Sequence, residues 1–276
     1  MTIRVPDTLT VDNSEKYKVS IRLWPDGLSF SGYIPSEKNS FFTEAIYFDD
    51  NMDVVRSLKN IFFENPCFSY IYKSYYIIFI SGKYTLVPDD VFSDKSSDLL
   101  FSFCHEKDEA GKVLIQPVDE LNLSLLYEVN SDIFEFMIRS IVNPQFIHYL
   151  SPLLISWQKN SFDCFPKQVY AYIHEKILDI ICFEHGDVLF ANSFNYEKDN
   201  DIIYYIMYVC KQTGVNQLDD YLYFCGDVAI CQSAISVIKK YIAKADYLPP
   251  KMNNYSIAKN KKNVYIDVTA LVECVL

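Results

Sequence analysis

The chain has 276 residues, 50% of them hydrophobic and including 22 Tyr and 20 Phe, which excludes an intrinsically disordered protein and supplies core for one large domain or two of ordinary size. Its net charge of −11 sets an average field that repels nucleic acid and anionic membrane. The 7 glycines are scattered, whereas glycine-rich phosphate loops need several together.

Met1–Lys16 is polar and carries no apolar secretory core, and the 8 Cys follow no paired framework, so reduced thiols and a cytoplasmic location are expected. Lys18–Trp24 is predicted as a strand. It turns through Pro25-Asp26-Gly27, where Pro presets φ and Gly accepts the left-handed position, into a return strand over Leu28–Tyr33. A third strand over Phe41–Phe48 leads to Asp49, Asp50 and Asn51, the expected N-cap cluster of a helix over Met52–Phe63 with Val54, Leu58, Ile61 and Phe62 as its apolar stripe. Strands are expected at Phe68–Tyr72, Tyr76–Ser81 and Tyr84–Val87, followed by a helix within Asp89–Phe101, a charged loop over His105–Gly111 and one or two strands in Lys112–Val129. Ser131–Val142 reads as a helix, Phe146–Tyr149 as a short strand and Ser151–Trp157 as the start of a helix. Ser140–Gln158 has no Asp, Glu, Lys or Arg, but Pro144, Pro152, Asn143, Gln145 and His148 interrupt it, so no membrane insertion is expected there.

Asn160–Lys167 is the best linker, and it divides an N-terminal lobe, 1–159, from a C-terminal lobe, 160–276. Beyond it the first pattern returns. Val169–His174, Leu178–Phe183 and Val188–Phe194 read as strands turned through Glu175-Lys176 and His185-Gly186-Asp187. An acidic cluster over Glu197–Asp201 enters a helix over Ile202–Thr213 that Gly214 ends. Tyr221–Cys225 is a strand broken by Gly226, Ile230–Ala243 a helix, and Val264–Leu276 a final docked helix. Lys259, Lys261 and Lys262 form the densest basic cluster and read as a solvated loop. Lys18–Phe62 and Val169–Thr213 thus match in order and spacing, with Asp49 and Asp50 corresponding to Asp199 and Asp201, and gene duplication is the simplest account.

This doubled pattern resembles the actin, Hsp70 and sugar-kinase superfamily. It is most similar to the actin-like proteins of type IV pilus and type II secretion platforms and to an uncharacterised Bacteroidetes family with that fold. Leu178–Phe183, Gly186 and Asp201–Ile206 carry most of the likeness. The resemblance implies an α/β protein of mixed sheets, a duplicated ribonuclease H-like, actin-like ATPase fold with two similar lobes and a central cleft. It also implies three contacts to ATP. The first is an Asp-x-Gly turn facing phosphate and hydrated metal, but here Arg22 takes the Asp position, Pro25 lacks an N–H, and Asp26 and Gly27 fall later in the hairpin. The second turn, Tyr172-Ile173-His174-Glu175-Lys176, has no glycine to admit a phosphate. The third, the adenosine motif, keeps one glycine in Phe224-Cys225-Gly226-Asp227-Val228-Ala229.

The expected reading is a non-catalytic protein-binding or scaffold module of bacterial type, with no catalytic residue, metal or cofactor, and with an unidentified protein partner or a second copy of the chain. The alternative is a nucleotide- or other anion-binding protein, a sensor or divergent kinase, using the cleft through Arg22, Asp26, Gly27, His174, Lys176, Gly226 and Asp227. Arg22 projecting into an open cleft favours the second reading, and Arg22 paired on the surface the first. Cys104-His105-Glu106 reads as coincidence, because neighbours on a strand face opposite ways. Cys182, His185 and Asp187 read as a turn, since zinc needs about four ligands. Cys225 and Cys231 read as core thiols; Tyr204, Tyr205 and Tyr208 read as core packing with hydroxyls at the rim, the alternative being a partner surface, since Tyr204 and Tyr208 share a helix face.

Overall fold

Two hairpins with two-residue turns set up the molecule, and a computed structural model describes residues 2–49, 51–252, 255 and 264–274 of it. In the first, β1 (Lys18–Trp24) returns as β2 (Gly27–Tyr33), with Trp24 paired to Gly27, and β3 (Phe42–Tyr47) adds antiparallel to β2. The helix α1 (Val54–Glu64) then crosses to β4 (Ser74–Phe79), which lies parallel to β1. A side excursion follows: β5 (Tyr84–Pro88), α2 (Ser97–Cys104), β6 (Gly111–Val118) and β7 (Leu123–Asn130), the strands forming a separate antiparallel sheet. The chain returns through α3 (Ser131–Ser140) to β8 (Pro144–His148), parallel to β4, and leaves along α4 (Leu150–Ser161).

The second half repeats this plan without the excursion. Strands β9 (Gln168–His174), β10 (Ile177–Glu184) and β11 (Asp187–Asn195) are antiparallel; α5 (Asp199–Gln212) crosses to β12 (Tyr221–Gly226), and α6 (Gln232–Ile238) to β13 (Lys244–Tyr247). The helix α7 (Ile266–Cys274) closes the described chain. The two 5-stranded sheets have orders β3-β2-β1-β4-β8 and β11-β10-β9-β12-β13, with the same directions throughout.

Strand alternation sorts the second half's residues between two cores. Val169, Ala171 and Ile173 join Leu178, Ile180, Leu222 and Phe224 in the core under α5 and α6. Tyr170, Tyr172, Ile181, Phe183 and Cys225 point the other way and merge with the first half's core, together with Ile266, Val268, Leu271 and Val272 of α7. Strands β9 and β10 are therefore covered on both faces, which is why they read as near-continuous apolar runs. α7 packs on α4 and is buried, as a docked helix.

Several sequence expectations are corrected. The cap of α1 is Asp53, whose side chain accepts from Arg56 N at 2.9 Å, whereas Asp49 bonds Asn51 instead. Asp50, like Lys259, Lys261 and Lys262, lies outside the described residues. Phe68–Tyr72 is not a strand: Pro66, placed at a helical first turn, starts a 3-10 turn over Pro66–Ser69. Asp89–Phe101 resolves into two 3-10 turns before α2, and Cys104 ends that helix rather than sitting on a strand. The helix expected through Ala243 stops at Ile238, and Lys244–Tyr247 is a strand whose short polar sequence hid it. Gly27 is not left-handed; it is required because a Cβ there would lie 2.5 Å from the Ile46 carbonyl and 2.7 Å from the Trp24 ring. Tyr204 and Tyr208 are exposed and stacked on one another, and only Tyr205 turns inward, onto Phe194.

Candidate functional site

The β1–β2 and β9–β10 hairpins meet at the bottom of the cleft between the halves. In β1, Val19, Ile21 and Leu23 alternate with Arg22 and Trp24, which turn toward α7. In β9 the same alternation turns Tyr172 and His174 to that side. The β9–β10 turn is made by Glu175 and Lys176, both at positive φ (38° and 63°), a conformation suited to a hairpin's twist and unusual for residues with side chains. It aims the Glu175 carboxylate back at Arg22.

Arg22 is fully buried. Its Nε donates to Asp267 Oδ2 at 2.7 Å, its Nη1 to Glu175 Oε1 at 2.7 Å, and its Nη2 to Glu175 Oε2 at 3.2 Å and Tyr172 Oη at 3.5 Å. The guanidinium stacks 3.9 Å from the Tyr265 ring centroid and lies 5.5 Å from that of Trp24. Neither of the two arrangements considered for Arg22 is found: it projects into no open cleft and sits on no surface. It is an internal pin joining β1, the β9–β10 turn and the first turn of α7.

The network continues through His174. Its Nδ1 donates to Glu175 Oε2 at 2.5 Å and its Nε2 to Asp179 Oδ2 at 2.7 Å. Burial opposes charge on the ring, but the Asp179 and Glu175 carboxylates outweigh it and raise the imidazole to about 9. Glu175 is likewise opposed by burial, and Arg22 and His174 hold it down at about 2. Asp179, fully buried, also accepts from Tyr149 Oη at 2.9 and 2.8 Å and from Ser193 Oγ. Next to it His148 is pushed down to about 4 by burial and bonds the Ser81 carbonyl.

Above this floor lies a cavity of about 450 Å³. It gathers Asp26, His174, Lys176, Gly226 and Asp227 from the sequence-derived set; Arg22 sits beneath it, and Gly27 is spent on packing under Trp24. Gly226 has φ +79°, and a Cβ there would approach the Ile173 carbonyl to 2.2 Å, so the strand neighbour itself demands the glycine. Glu175, Asp267, Asp179, Tyr149 and Tyr265 were missed. Their signal was available: Asp179 and Asp267 are single charges inside apolar runs, as Arg22 is, and a buried charge needs a partner.

Among the described residues no group of His, Cys, Asp and Glu is arranged to hold a metal ion, and no helix is long and apolar enough to cross a membrane. All 8 cysteines are free, with Cys67, Cys182, Cys210, Cys225 and Cys231 buried.

The architecture is similar to that of a Bacteroides thetaiotaomicron protein with an actin-like ATPase fold and unknown function, at 29% identity and a TM-score of 0.84 over 97% of this chain and 99% of that one. It is similar in fold to a chain of the PilM–PilN type IV pilus biogenesis complex, at 9% identity and a TM-score of 0.50 over 84% of this chain and 88% of that one. No curated protein matches the sequence. The mixed α/β arrangement is therefore the actin-like ATPase fold. The family model described as protein of unknown function (DUF3822) matches residues 6–245, and the chain belongs to that family.

Proposed function

We propose that this chain is a non-catalytic, protein-binding or scaffold member of the actin-like superfamily, with its phosphate end closed by its own side chains. The observation that carries this reading is the saturation of Arg22. The cation at the position where the superfamily places a metal-facing Asp is bound by Glu175 of the opposite hairpin and by Asp267. An incoming phosphate meets no free guanidinium there, and it faces the Glu175 carboxylate. The glycine at Gly226 is required by its approach to the Ile173 carbonyl, so its retention does not itself call for a nucleotide. The matching order and directions of the two 5-stranded sheets support an origin by internal duplication. The likeness to a chain of a two-protein pilus complex fits a partner-binding role.

The test is thermal unfolding of the intact chain with Mg–ATP and Mg–ADP. A nucleotide at 100 times its dissociation constant adds about 2.7 kcal/mol to the folded state. At about 2–4 °C per kcal/mol for a chain of this size class, binding moves the midpoint by about 5–11 °C. The expected shift is less than about 1 °C; a reproducible, saturable shift of several degrees overturns the reading.

A further inference from the structure

The same cavity has a charge content opposite to what the phosphates of a nucleotide need. Among the described residues lining it, the cationic side chains are His174 and Lys176. His174 is clamped between two carboxylates, and the Lys176 ammonium lies 5.7 Å from the Tyr196 ring centroid. Of the lining carboxylates, Glu175 is occupied by Arg22 and His174, while Asp26 and Asp227 stand exposed on opposite hairpin and strand ends. The lining also carries the aromatic side chains of Trp24, Tyr47, Tyr172, Tyr247 and Tyr265. Tyr47 meets Trp24 edge-on at 5.9 Å, and Tyr265 meets it at 5.6 Å.

Ring faces carry negative potential and attract cations, most strongly where water is excluded. The molecule already uses this pair of rings so, since Arg22 stacks beneath Tyr265 and Trp24. A net charge of −11 adds a long-range field that draws cations and repels anions.

We propose that the cavity binds an organic cation, a guanidinium or alkylammonium group, between its aromatic side chains and the Asp26 and Asp227 carboxylates. This rests on the non-catalytic reading of the cleft. The cation is either free in solution or carried on an arginine or lysine side chain of a partner, and the two sources share this chemistry.

The experiment is isothermal titration of the full chain with N-acetyl-arginine methylamide, with tetramethylammonium and with a short arginine-bearing peptide, against a peptide in which glutamate replaces the arginine. Both acids are exposed, so Asp26→Asn/Asp227→Asn is expected to fold, and it is expected to lose about tenfold or more in affinity for each cation. Tyr47→Ser, at a residue 56% exposed, is expected to weaken binding several-fold, and Tyr204→Ser on α5 to leave it unchanged. A peptide binding much more tightly than the free arginine derivative assigns the cation to a partner segment; equal affinities assign it to a free molecule. Absence of cation binding by the unaltered chain, or affinity unchanged in the double Asn variant, overturns the proposal. Parallel titration with Mg–ATP separates the two readings: if neither cation nor nucleotide binds, the cation site fails and the non-catalytic reading stands, whereas nucleotide binding removes the latter.

Discussion

Replacing Arg22 by methionine tests the internal pin directly. Methionine keeps much of the volume and removes the charge, leaving Asp267 with a fully buried side chain and Glu175 with one only 16% exposed. Removing one partner of a buried ion pair costs about 3–5 kcal/mol, because the remaining charge stays desolvated without compensation. At about 2–4 °C per kcal/mol, the melting midpoint is expected to fall by about 6–20 °C. Glu175 is held near 2 by Arg22 and His174; without Arg22 it takes up a proton at higher pH. The stability gap between Arg22→Met and the unaltered chain is therefore expected to narrow as pH falls from about 7 to about 4.5. Urea unfolding followed by circular dichroism at several pH values measures this. Adding Glu175→Gln and Asp267→Asn to Arg22→Met removes the stranded charges and is expected to restore at least half of the loss. A loss below about 1 kcal/mol for Arg22→Met, or a gap that does not change with pH, refutes the claim that these groups form one charged unit.

Four further outcomes are expected. His174, raised to about 9 from an ordinary 6.5, contributes stability that is fully present below 6.5 and lost as pH rises through 9; Glu175, lowered to about 2 from 4.5, contributes stability present above 4.5 and lost as pH falls through 2. Stability should thus be greatest between 4.5 and 6.5, and His174→Asn should flatten the alkaline decline in a pH series of melting points. Tyr149→Phe deprives buried Asp179 of a donor and is expected to cost about 1–3 kcal/mol in urea unfolding. Gly226→Ala, at φ +79° and with its Cβ against Ile173, is expected to cost about 1–3 kcal/mol or more, measured the same way and without any added ligand. Tyr204→Ser and Tyr208→Ser, on an exposed face of α5, should each stay within about 0.5 kcal/mol of the unaltered chain.

The strands and hairpins were legible because their signals are local. Lys18–Trp24 has the predicted limits, and the turn at Glu175-Lys176 lies where the two apolar runs require it. The elements misread were those whose local signal is weak or shared. The 3-10 turn at Pro66–Ser69 carries aromatic residues that suit a strand equally well, and β13 is short and half polar. At the cleft, residue types alone marked Arg22 as a replaced anion and as a candidate ligand for phosphate. Its actual partners are far away in sequence: Glu175 is 153 positions off and Asp267 is 245. No spacing rule links such residues, although single charges in apolar segments announce that partners exist.

Apolar runs bounded by turn residues therefore determined which segments are strands and that the pattern occurs in both halves. Only the folded chain decided how the charges on those strands are used. Packing the two hairpins and α7 against one another removes Arg22 from water, and a guanidinium, which stays charged even when buried, is tolerated there because carboxylates from distant parts of the chain pair with it. That tertiary demand turned a residue suited to holding phosphate into one already bound from within.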